Sequence, residues 1–62
     1  MSITVGEVLQ NAEYNISNAS IPFQMEIGKE QLRNYRIAKE IGANDDDDWA
    51  DWEDKIDEYK QK

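Results

Sequence analysis

The chain has 62 residues, a formal charge of −7 from fourteen acids against seven bases, and neither cysteine nor histidine. Disulfides are thereby excluded and a structural zinc site lacks both of its usual ligands, while the sign of the charge argues against nucleic acid or an anionic membrane as a direct partner. The length permits one domain whose core supplies no more than ~3–5 kcal/mol, so self-association or docking on a larger partner is the expected further source of stability.

In chain order, Thr4 predicts a helix start, with Glu7 placed to close a capping box. Val5, Val8, Leu9, Ala12 and Ile16 recur at helical spacing over residues 5–17, and Gly6 weakens that helix. Asn15, Ser17, Asn18 and Ser20 form a polar break, and Pro22 disfavours helical geometry at Ile21. Asn15 and Asn18 each begin a glycosylation sequon. The N-terminus lacks the basic-then-apolar pattern of a secretion signal, so these read as chance and the chain as cytoplasmic.

In the stretch that follows, Ile21, Phe23, Met25 and Ile27 alternate with polar residues. It reads either as a strand that must pair with another chain or, preferably, as helix with Pro22 at its first position. Residues 29–41 carry Leu32, Tyr35, Ala38 and Ile41 on one helical stripe, with Ile37 beside it, and Gly42 stops the helix. No apolar run approaches the ~18 residues of a membrane span.

A third helix is expected over about 47–59. Trp49, Trp52, Ile56 and Tyr59 fall at spacings of three, four and three, the seam of an amphipathic helix. Asp45, Asp46, Asp47 and Asp48 stand at its expected N-terminus, where the macrodipole favours negative charge. The expectation is an all-α fold: two or three short helices in a small, self-associating hairpin or bundle. A basic middle helix next to an acidic third one predicts an antiparallel pair with facing charges.

Two faces stand out as binding candidates. The first is Asp45, Asp46, Asp47 and Asp48 with Asp51, anchored by Trp49 or Trp52; the plainer alternatives are a solvated helix start and tryptophans in the core. In neither calcium-loop register do positions six and twelve hold the required glycine and glutamate: Ala50 and Ile56 stand there counting from Asp45, Asp51 and Asp57 from Asp46. No metal or cofactor is expected. The second face is Lys29, Arg33 and Arg36, with Asn34 and Tyr35 nearby; it either pairs with the third helix or binds an anionic ligand such as a cyclic nucleotide, with several subunits contributing. Gly28-Lys29 lacks the remainder of a phosphate loop, and a run of solvated carboxylates gives no shifted acid–base pair, so no enzyme is expected.

The words GEVLQNAEYNI and IGKEQLRN resemble small phage and mobile-element proteins. In size, acidity and lack of cysteine the whole chain is similar to anti-CRISPR and other anti-defence inhibitors, some of which mimic DNA. The resemblance implies an inhibitor that presents its acidic helix to the basic groove of a host defence protein, working in the host cytoplasm; it assigns no individual residue. The alternatives are a homo-oligomeric sponge for a cyclic nucleotide signal and a small structural or assembly protein.

Overall fold

A computed structural model describes residues 3–62. The fold is all-α, with α1 (Val5–Ser17), α2 (Pro22–Glu40) and α3 (Ala50–Gln61) in order, and no strand among the described residues beyond one isolated bridge. Residues 21–27 take the helical alternative: Pro22 sits in the first turn of α2, where its missing N–H costs nothing and its fixed φ is already helical. The second helix therefore starts well before residue 29.

At the start of α1 the predicted capping box forms, with Glu7 N–H donating to Thr4 Oγ1 and Thr4 N–H to Glu7 Oε1, both at 3.2 Å. Along its length α1 packs on α2 through Val8 and Ala12, both buried. The two helices cross at Gly28, where an added Cβ would lie 2.8 Å from Ile16 Cγ1 and 3.1 Å from the Ala12 carbonyl oxygen. Only glycine permits that approach. Asn15 Nδ2 donates to Gln31 Oε1 at 2.7 Å and adds a polar link to the same interface.

The end of α2 is a Schellman motif. Ala43 N–H returns to the Ala38 carbonyl at 2.9 Å and Gly42 N–H to that of Lys39 at 3.2 Å, with Gly42 at φ 111°. Ala43 and Ala38 are thereby carried into the main core, where Val5 and Ile56 join them. Tyr35, Ile37, Ile41, Trp49 and Trp52 pack around these four as partly buried neighbours.

The third helix begins at Ala50, three residues later than expected, because residues 45–49 form turns instead of a first helical turn. It returns along α2, tied at its far end by Lys60 Nζ to Glu30 Oε1 at 2.7 Å. This is the reverse of the expected charge pairing, since the base lies on α3 and the acid on α2. The radius of gyration, 11.6 Å, exceeds the ~10.6 Å typical of this length, as suits a third helix laid loosely on two tightly packed ones.

Candidate functional site

Only Asp48 of the acidic run reaches the start of α3, where its Oδ1 accepts from Ala50 N–H. The run turns back onto α1, whose first N–H groups have no partner within their own helix. Val5 N–H donates to the Asp47 carbonyl and Gly6 N–H to that of Asp45, each at 2.9 Å, while Trp49 N–H reaches the Ile3 carbonyl at 2.8 Å. Together with the capping box, in which Thr4 Oγ1 accepts from Glu7 N–H and Glu7 Oε1 from Thr4 N–H, this satisfies all four orphan donors, those of Thr4, Val5, Gly6 and Glu7. The contacts with α1 are made by main-chain carbonyls of the run. Gly6 has a purpose that its helix propensity hides, for an added Cβ would sit 3.3 Å from the Asp45 oxygen that receives its own N–H.

Three of the four side chains in the run are tied down locally. Asp45 Oδ1 accepts from Tyr35 Oη at 3.1 Å and from Lys39 Nζ at 3.3 Å. Asp47 Oδ2 takes the Asn44 N–H at 2.9 Å and Trp52 Nε1–H at 3.2 Å. Asp48 Oδ1 accepts from Ala50 N–H at 3.3 Å. Asp46 is exposed and makes no side-chain hydrogen bond among the described residues. Of the expected anchors, Trp52 is held by Asp47 and covered by Lys55 Nζ, 4.6 Å from its ring centroid, whereas half-buried Trp49 packs on the core and also lines a surface groove.

The free negative charge lies further on. Asp51, Glu53, Asp54, Asp57 and Glu58 are all exposed on α3, and the bases among them are engaged, Lys55 over Trp52 and Lys60 with Glu30. Asp51, Asp54 and Glu58 make an outer row. Glu53 and Asp57, four residues apart, edge a groove of about 250 Å³ between α3 and α2, completed by Trp49, Ile56 and Asn34. The spacing does not reveal that Asn34, expected beside the basic face, meets Glu53 and Asp57, although Trp49, Glu53 and Asp57 recur every four residues and so share one helical row.

On α2, Lys29, Arg33 and Arg36 are exposed and make no ion pair with any described residue. Tyr35 stands apart from them, packed against the core and donating to Asp45. Partial burial, and after it that hydrogen bond, push its phenol up from the ordinary tyrosine value. Lys60 draws the Glu30 carboxyl below the ordinary glutamate value, by its hydrogen bond and then by its charge. No cluster of acidic side chains arranged to hold a metal ion occurs among the described residues, and no helix is long and apolar enough to cross a membrane.

Neither a protein-family model, a curated protein nor a solved structure matches the chain.

Proposed function

We propose that this chain is a non-enzymatic inhibitor that docks its anionic α3 face onto a basic, nucleic-acid-binding groove of a host defence protein. The observation that carries this reading is the set of five exposed carboxylates on α3, among which Lys55 lies over Trp52 and Lys60 pairs with Glu30. Negative groups fixed on a short rod match the potential that such a groove is built to receive, and complementarity of that kind raises on-rate and selects the partner. The anti-defence resemblance of the sequence supports the class of target.

A test is to express the chain in bacteria that each carry one defined DNA-targeting defence system and to count plaques of a phage which that system restricts. The reading predicts relief of restriction in at least one system. It also predicts loss of that relief when Asp51, Asp54 and Glu58 are changed to Asn, Asn and Gln. Undiminished restriction across the panel contradicts it.

A second reading, the cyclic-nucleotide sponge, is favoured by one observation, the unpaired Lys29, Arg33 and Arg36 on the outer side of α2. In that reading an oligomer brings several copies of this face around one anionic ligand, and Tyr35 takes no part in stacking. A flat calorimetric titration against cyclic di- and trinucleotides would remove it.

A further inference from the structure

One side of α2 is covered by α3 over only part of its length. Phe23, Ile27, Glu30 and Asn34 recur at spacings of four, three and four, which sets them on one stripe of the helix. Over the later half of that stripe α3 is in place: Glu30 accepts from Lys60 at 2.7 Å, and Asn34 lines the groove between the two helices. Lys60 lies in the last turn of α3, whereas Phe23 stands seven residues before Glu30, about 10 Å further along α2. Phe23 and Ile27 are accordingly 70% and 40% exposed, and Tyr59, next to Lys60, is 47% exposed at the same end of the molecule.

The charges around these side chains suit a second copy of the chain. Glu26 and Glu30 stand here against Lys29, Lys60 and Lys62, so this end is close to neutral. The acidic 45–48 turn lies at the far end of α2, where Asp45 meets Tyr35 and Lys39. Two chains of net charge −7 therefore meet with least repulsion at the Phe23 end. Glu26 and Lys29 are both exposed, and neither makes an ion pair with a described residue. Glu26 precedes Lys29 by about one turn, and a two-fold copy runs its α2 the opposite way, so each Glu26 comes alongside the other copy's Lys29. We propose that Phe23 and Ile27 form a homodimer contact in which the first two turns of two α2 helices pack antiparallel, Phe23 of each against Ile27 of the other. The pairing is isologous and closes at two chains. Its area is that of a weak, reversible contact, under ~1,200 Å² in total. The exposed carboxylates of α3 take no part in it, so the contact is independent of the docking reading.

Phe23 and Ile27 lie outside the buried core, so both can be made polar without emptying it. Sedimentation velocity is run from about 5 to about 500 µM, the range for a contact of this size, on the parent, Phe23→Gln/Ile27→Gln and Tyr14→Gln. Tyr14 is comparably exposed, at 65%, and stands two residues past buried Ala12, on the side of α1 turned away from α2. The Phe23/Ile27 variant is expected to weaken dimerisation by about tenfold or more, and Tyr14→Gln by less than about twofold. A charge swap tests the two-fold arrangement. Glu26→Lys takes the net charge from −7 to −5, which by itself favours association, yet it is expected to weaken the dimer by about threefold or more. Adding Lys29→Glu should restore the affinity to within about twofold of the parent. A parent that stays monomeric throughout overturns the pairing and leaves the patch to a different protein. Association that grows past two chains, equal losses in the two polar variants, or a Glu26→Lys protein that dimerises as well as the parent would each overturn it too.

Discussion

At Gly28 the two longer helices approach so closely that a single methyl group has nowhere to go. The nearest atoms include the Ile16 backbone nitrogen at 3.0 Å and the Ala12 carbonyl oxygen at 3.1 Å, neither of which can swing aside as a side-chain tip can. Gly28→Ala gains helix propensity of about 1 kcal/mol but overpacks the crossing. A net loss of ~1–3 kcal/mol is expected in urea denaturation. A variant as stable as the parent would place the crossing elsewhere. The Glu30–Lys60 ion pair gives a second residue-scale prediction. Its glutamate has a lowered folded pKa, so its contribution is complete above the ordinary value near 4.5 and is lost as pH falls through the folded one. Both partners are partly exposed, which limits the pair to ~0–1 kcal/mol. Glu30→Gln should lower stability by that amount near neutral pH, and the gap from the parent should close on acidification. A gap that persists in acid would show the loss to be one of packing.

Among the elements, α1 was legible because its signals are local: Thr4 and Glu7 three apart, then an apolar face in step with the helix. The stop of α2 was equally legible, since Gly42 is a residue that accepts φ 111° without strain. The start of α2 was ambiguous because Ile21, Phe23, Met25 and Ile27 alternate as a strand does. That alternation answers to no second strand here, and Ile21 and Phe23 remain 56% and 70% exposed. The second role of the acidic run, at α1, was hidden for a different reason. A row of aspartates before an amphipathic stretch fits a helix N-terminus, and nothing within a short window reveals that the N-terminus it serves is some forty residues earlier. The candidate site was legible as an acidic surface, and its groove was not, because Asn34 meets Glu53 and Asp57 only through the packing of α3 on α2.

For the whole molecule, the decisive property is how little is buried. Among the described residues, three of the six buried apolar ones are alanines, and Val5 is the largest side chain wholly out of solvent. Phe23, Ile21, Ile27, Tyr14 and Tyr59 meanwhile stay at 40% exposure or more. A core of that volume leaves folding close to balance, and association adds stability by mass action. The prediction is more than one chain per particle in light scattering across a concentration series; a concentration-independent monomer with a cooperative melt would contradict it.

The carboxylates divide into two sets: those of Asp45, Asp47 and Asp48 fix the turn whose main-chain carbonyls hold the start of α1, and those of α3 stay exposed, as the proposed docking requires. One paired measurement separates the two roles. Urea denaturation of Asp45→Ala/Asp47→Ala/Asp48→Ala is compared with that of Asp51→Ala/Asp54→Ala/Glu58→Ala, each variant losing three negative charges from a chain of net −7. The turn variant forfeits the side-chain acceptors of Tyr35, Lys39, Asn44, Trp52 and Ala50 and is predicted to lose about 2–3 kcal/mol. The helix variant relieves self-repulsion and gains helix propensity, so it is predicted to equal or exceed the parent. If the turn variant unfolds where the parent does while the helix variant is destabilised, the assignment of the two sets of carboxylates is wrong.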